Sequence, residues 1–202
     1  MILIGITGII GSGKTTVSSM LKKEGFEVID LDRIAKEVLS LEDVKKEIGN
    51  VFGTEYISGD HVNIGKMRSA AFQNRDSLKR LEEIVHPGIA EELFRNTEQI
   101  KKNGAKSVII DGPLLFETGL YRKLDRTVVV SADAEMLTGR LKNRGMDEED
   151  VKRRMVLQIP LKEKERMADW VVHNNGTVED LKKETAMLLE KIKGWEVEPH
   201  AP

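Results

Sequence analysis

The chain of 202 residues contains no cysteine. Disulfide staples, thiolate metal sites and cysteine nucleophiles are thereby excluded. No apolar run approaches the ~18 residues that a bilayer span requires. The apolar opening from Met1 to Ile10 has no basic leader and runs into a glycine-rich turn, so it reads as a first β-strand and not as an export signal. Neither sign of charge dominates: 32 Lys and Arg stand against 34 Asp and Glu, a formal net charge of -2. That balance argues against bulk attraction to nucleic acid or to an anionic membrane. A soluble, cytoplasmic protein is expected. Charge itself is abundant, with 33% of residues being Asp, Glu, Lys or Arg, which implies a surface rich in ion pairs. The length suffices for a single core that buries roughly 70% of the unfolded chain's surface without staples.

Short β-branched runs alternate with helical stripes. Ile2 to Thr7 has the apolar continuity of a strand buried on both faces. A glycine-rich segment, Gly8 to Gly13, follows, then a helix carrying Val17, Met20 and Leu21 that stops at Gly25. Phe26 to Ile29 reads as a second strand ending on Asp30-Leu31-Asp32, and Ile34, Val38 and Leu41 continue as a helical stripe. The stretch from about Leu39 to Gly104 is mostly helical in pattern, with loops expected near Gly49 to Asn63 and at His86-Pro87. Ser107 to Asp111 and Arg126 to Val130 are further strands, the latter running into a helix around Ala134 to Arg144. Trp170 to His173 is a last strand. A closing helix from Thr177 to Ile192 places Val178, Leu181, Leu188 and Ile192 on one face, and a frayed tail is expected from Gly194. Strands alternating with helices predict a parallel sheet covered on both faces.

Gly8-Ile9-Ile10-Gly11-Ser12-Gly13-Lys14-Thr15 fits G-x-x-x-x-G-K-[ST], placed after a buried strand and at the start of a helix. Glycines let successive N–H groups face phosphate oxygens. Lys14 supplies a charge for the β- and γ-phosphates, Thr15 a hydroxyl for Mg²⁺, and the helix points its positive end at the anion. The expected ligand is Mg-ATP. Asp111 ends the third strand, at the sheet edge where ligands of such folds sit. It is either a carboxylate for the Mg²⁺ shell or a turn former. Asp30 and Asp32 end the second strand. Either could accept or orient a hydroxyl proton, and both could merely cap the next helix. Arg140 and Arg144 lie four apart, followed by Arg153, Arg154 and Gln158. They form either a cationic lid over phosphates or ordinary solvated helices.

Six stretches in order resemble the dephospho-CoA kinase family. They are Thr7 to Thr16, Val28 to Ala35, Leu81 to Pro87, Asp111 to Glu117, Arg154 to Gln158, and Ala168 to Gly176. They are similar to T-G-G-I-G-S-G-K-[ST]-T, V-I-D-A-D-x-I-A, L-E-x-I-x-H-P, D-x-P-L-L-F-E, R-x-x-x-Q and A-D-x-V-I-x-N-x-G. Ile9 stands where the family commonly has a second glycine and His173 where it commonly has Asp. The resemblance implies transfer of the γ-phosphate of ATP to the ribose 3′-hydroxyl of dephospho-CoA, the last step of coenzyme A synthesis. It implies Asp32 as base, with Lys14 and Arg140 completing the catalytic set. It further implies Gly11, Ser12, Gly13, Lys14, Thr15, Thr16, Arg140 and Asn174 on ATP, and Asp32, His86, Asp111 and Leu115 on the acceptor. Arg144, Arg154 and Gln158 belong to the lid, and Thr15 and Asp111 to Mg²⁺.

The expected architecture is an α/β P-loop kinase fold, a parallel β-sheet flanked by helices with a helical substrate lobe and a helical lid. One domain over 1–193 has its core at about 1–38 and 105–193, a substrate-binding insert at about 39–104 and a lid at about 138–167, before a flexible tail at 194–202. The partners are small molecules, dephospho-CoA and ATP, with no nucleic acid and no membrane. A kinase acting on a nucleoside monophosphate or a sugar acid, or a nucleotide-binding regulatory module, are the alternatives. The Asp30-to-Asp32 and His86-Pro87 stretches speak against the first, and the lid-like arginines against the second.

Overall fold

Strand β1, Ile2–Thr7, is the spine of the molecule. The computed structural model describes residues 1–59, 61–63, 65–67, 75–143, 145, 149, 151, 155–156 and 158–198. After β1 come α1 (Lys14–Lys23), β2 (Glu27–Asp30), α2 (Leu31–Leu39) and α3 (Glu42–Phe52). A 3₁₀ turn at Thr54–Tyr56 leads into β3 (Ile57–Ser58) and β4 (His61–Val62), and α4 is the long helix Arg75–Lys102. The remainder is β5 (Ser107–Asp111), a 3₁₀ turn at Leu120–Lys123, β6 (Arg126–Ser131), α5 (Ala134–Asn143), α6 (Leu161–Met167), β7 (Trp170–His173) and α7 (Val178–Val197). The chain divides into two compact units, one of Met1–Ile29 with Ile100–Pro202 and one of Asp30–Gln99.

The five-stranded sheet has the order β2-β5-β1-β6-β7, with β1 parallel to both β5 and β6, and β6 parallel to β7. Register matters for function. Ile6 pairs with Asp111, so the carboxylate at the end of β5 lies level with the end of β1, where the glycine-rich loop begins. Ile4, Ile109, Val128, Val130 and Val172 bury the sheet completely or nearly so. Leu181, Thr185, Leu188, Ile192 and Trp195 form the buried stripe of α7, at the helical period. Thr177 and Asp180 start that helix with a reciprocal capping box.

Three expectations are corrected here. Val178 is 61% exposed and lies off the buried stripe. The tail does not begin at Gly194, since α7 runs to Val197 and Trp195 closes the core; residues 199–202 lie outside the described part. Leu41 belongs not to the stripe of α2 but precedes α3 as its N-cap, exposed at 48%.

In the second unit, the loop expected at His86-Pro87 is helix instead, deep inside α4. Proline removes one helical bond and costs about 3 kcal/mol in a helix interior, yet 28 residues of helix carry it through. Gly88 shows why the segment packs: a Cβ there would lie 2.8 Å from Val38 Cγ1 of α2, so the helices meet at closest approach where the side chain is missing. Ile57 and Val62 pair across a small antiparallel ladder that the sequence pattern did not reveal. Exposed helix pairs such as Arg33–Glu37 and Lys193–Glu190 account for part of the high charge content and are each worth a few tenths of a kcal/mol. Among the described residues, no helix is long and apolar enough to cross a membrane.

Candidate functional site

The loop between β1 and α1 is built on backbone that favours glycine. Gly11 and Gly13 have φ of 85° and 95°, the region in which an L side chain is strained. Gly13 is held from a second direction as well, because a Cβ on it would lie 2.1 Å from Asn174 Nδ2. That amide donates to the Ser12 carbonyl at 2.8 Å, deep in the protein. Gly13 is the N-cap of α1 and offers no side-chain cap, and the first turn has no acidic residue. The first N–H groups of α1 are thus left for an anion.

Lys14 and Asp111 form an ion pair, Nζ to Oδ1, with side chains only 17% and 9% exposed. The parallel register and the loop together bring them to one edge of the sheet. Thr15, in the first turn of α1, is exposed, as is Thr16, whose N–H bonds to the Gly13 carbonyl. Ser12 is fully buried.

Arg140, on α5, reaches Asn174 just after β7. Its Nη2 donates to both the carbonyl oxygen and Oδ1 of Asn174, at 3.0 Å each. Asn174 therefore links an arginine on one side to the phosphate loop on the other, and its own N–H is fixed on the Ser131 carbonyl at 2.7 Å. Gln158 also reaches the loop, accepting a bond from the Ile10 N–H at 3.4 Å. Arg144, Arg153 and Arg154, expected in the lid, lie outside the described residues.

A residue that the sequence reading passed over completes this neighbourhood. Lys164 on α6 is 0% exposed; its Nζ donates to the Pro113 carbonyl at 2.9 Å and pairs with Glu117 Oε1 at 2.8 Å. Burial holds its ammonium below the ordinary lysine value, Glu117 opposes that, and the charge of Lys14 adds to the lowering. No periodicity marks it, since a lysine in a charged seven-residue helix looks like a surface residue.

Leu115, expected at the acceptor, is 1% exposed, and its Cδ1 lies 2.8 Å from the point where a Cβ on Gly5 would stand. Its side chain packs in the core beside Gly5 of β1.

In the second unit, Asp30, which ends β2, and Asp32 take different positions. Asp30 caps α2: its Oδ1 accepts from the N–H groups of Asp32 and Arg33, at 2.9 and 3.2 Å. Asp32 lies in the first turn, exposed, and among the described residues its carboxylate has no hydrogen-bond partner. His86 is an exposed residue of α4.

The chain resembles known proteins over nearly its whole length. A family profile described as dephospho-CoA kinase matches residues 2–180. A protein of Corynebacterium glutamicum named dephospho-CoA kinase is 40% identical over 195 residues, covering 95% of this chain and 98% of its own. Another so named, from Geobacillus kaustophilus, is 37% identical and covers 96% of each chain. The crystal structure of a protein from Thermus thermophilus superposes with a TM-score of 0.83 at 34% identity, covering 95% of this chain and 97% of that one.

Proposed function

The chain belongs to the dephospho-CoA kinase family, and we propose that it moves the γ-phosphoryl group of ATP to the ribose 3′-hydroxyl of dephospho-CoA, completing coenzyme A. It is an ATP-dependent kinase of the P-loop kinase fold. The observation that carries the reading is the Lys14–Asp111 pair at the open N-terminus of α1. A lysine of a phosphate loop, held by a carboxylate at the same sheet edge, is a cation kept in place until phosphate arrives.

In the transfer, the 3′-oxygen forms a bond to the γ-phosphorus while the bond from that phosphorus to the β-bridging oxygen breaks, and ADP leaves. Lys14 and the α1 N–H groups take up the charge on the phosphates, where electrostatic stabilisation has most effect. Asp32 receives the hydroxyl proton. Asp30 is occupied in capping α2, which supports the choice of Asp32. His86 is assigned to the acceptor, and Arg140 and Asn174 border the nucleotide. Gly11, Ser12, Gly13 and Thr16 cradle its phosphates, and Arg144, Arg154 and Gln158 form the lid.

Thr15 and Asp111 offer hard oxygen donors of the kind Mg²⁺ prefers. Among the described residues no group of three or more His, Cys, Asp or Glu could hold a metal. Thr15 and Asp111 would hold Mg²⁺, and the ion would neutralise charge on the transferred group. Both substrates are cytoplasmic metabolites, and that is where we place the reaction.

The test is ADP release measured with dephospho-CoA, a nucleoside monophosphate, a sugar acid or no acceptor. Turnover with dephospho-CoA alone is expected. Equal turnover with another acceptor, or with none, contradicts the assignment.

A further inference from the structure

Lys164 is buried to 0% exposure, yet no step above uses it. A lysine is almost never fully buried unless paired, and packing alone would be served as well by an apolar residue of similar size. Its two partners identify what it holds. Both Pro113 and Glu117 belong to the turn after β5, the strand that ends on Asp111.

That turn is fixed on its other side too. The Pro113 carbonyl also accepts from the hydroxyl of Thr7 at 3.2 Å, and Thr7 is the last residue of β1, directly before the phosphate loop. The N–H of Gly112 bonds to the Ile6 carbonyl at 3.1 Å. Glu117 Oε1, besides pairing with Lys164, accepts from the Ile159 N–H at 2.8 Å, next to Gln158 and its contact with Ile10. One ammonium therefore joins the end of β1, the turn after β5 and the segment 158–164. Two cations share this neighbourhood, and each has its own carboxylate: Lys164 has Glu117, and Lys14 has Asp111.

We propose that Lys164 is a positioning residue for phosphoryl transfer: by holding the Pro113 carbonyl and Glu117 it fixes the turn after β5, and so sets where Asp111 meets Lys14. It touches neither substrate. The inference rests on the kinase reading and adds a residue to it. A displacement of about 1 Å at a reacting group is enough for a hundredfold loss of rate.

Three variants separate positioning from mere support. Glu117→Gln keeps the Lys164 bond to Pro113. Lys164→Met removes that bond and leaves Glu117 buried without its cation, and Lys164→Met with Glu117→Gln removes both charges together. Melting temperature, kcat and the KM for ATP are measured for each, with dephospho-CoA as acceptor. We expect kcat to fall about tenfold to a hundredfold in both Lys164 variants, with the KM for ATP within about threefold, while Glu117→Gln, which leaves Lys164 buried without its carboxylate, loses melting temperature but keeps more of its kcat than either Lys164 variant. The double variant recovers melting temperature over Lys164→Met without recovering kcat. If instead kcat follows melting temperature across the series, or the double variant stays within twofold of wild type, the proposal is overturned. If the double variant does not fold, Lys164→Leu with Glu117→Gln carries the same test, since leucine likewise fills the buried site without a donor for the Pro113 carbonyl. A wild-type protein that does not phosphorylate dephospho-CoA defeats the reading of function and is recognised before any variant is compared.

Discussion

Replacing Gly13 by alanine disturbs the phosphate loop at a single atom. Residue 13 sits at φ 95°, and holding alanine in left-handed backbone costs about 1–2 kcal/mol. The new methyl would lie 2.1 Å from Asn174 Nδ2, far inside van der Waals contact, so the amide must leave. Its bond to the Ser12 carbonyl is then lost at a buried site, a cost of about 1–3 kcal/mol. Together these come to about 2–5 kcal/mol, a fall in melting temperature of about 4–20 °C at 2–4 °C per kcal/mol. ATP binding, read by calorimetry, should weaken, because the displaced loop no longer aims the same N–H groups at the phosphates. The clash and the strain separate in a cycle with Asn174→Ala. With the amide gone, Gly13→Ala should cost only the backbone strain, so the two substitutions together fall short of their sum by at least about 1 kcal/mol. Wild-type ATP affinity with a melting temperature within about 1 °C of wild type would refute the loop geometry, and strict additivity with Asn174→Ala would refute the contact.

Lys14→Ala should lower kcat about a hundredfold or more while the protein stays folded, because it removes the cation from the transferred phosphate; steady-state kinetics and circular dichroism check both halves. Asp30→Ala should lower stability by about 1 kcal/mol through loss of the α2 cap, with kcat retained, whereas Asp32→Asn should lower kcat with the KM for ATP unchanged. Bonds from the Thr177 hydroxyl and N–H, then Lys183, hold the Asp180 carboxyl below its ordinary value of 3.8. Its contribution is therefore complete above that value and is lost as pH falls through the lower folded-state value. Acid unfolding followed by circular dichroism should show that loss, and Thr177→Ala should flatten it.

Much of the first unit was legible because its signals are local. The β-branched runs 2–7 and 107–111 give the strands found, and G-x-x-x-x-G-K-[ST] falls where strand meets helix. The parallel sheet follows from alternation of strand and helix. What stayed hidden depends on contacts distant in sequence. Asn174 is 162 residues from the Ser12 carbonyl it holds, and nothing near either one announces the bond. Lys164 has the composition of a solvated helix and the burial of a core residue. Leu115 is the opposite case: its motif points to the acceptor, while its side chain is buried beside Gly5. Pro87 misled because a proline beside a histidine reads as a turn, whereas the helix around it is long enough to continue. For Asp30 and Asp32, spacing was silent, and only the structure shows that Asp30 makes the capping bonds.

The most direct measurement is the position of the new phosphate. Dephospho-CoA and ATP are incubated with the enzyme, and the product is followed by phosphorus NMR alongside ADP release. One phosphomonoester per ADP is expected, on the ribose 3′-oxygen, formed more slowly when Asp32→Asn replaces the wild type at equal concentration. ADP without a phosphomonoester, or a phosphate on any other oxygen of the acceptor, would contradict it.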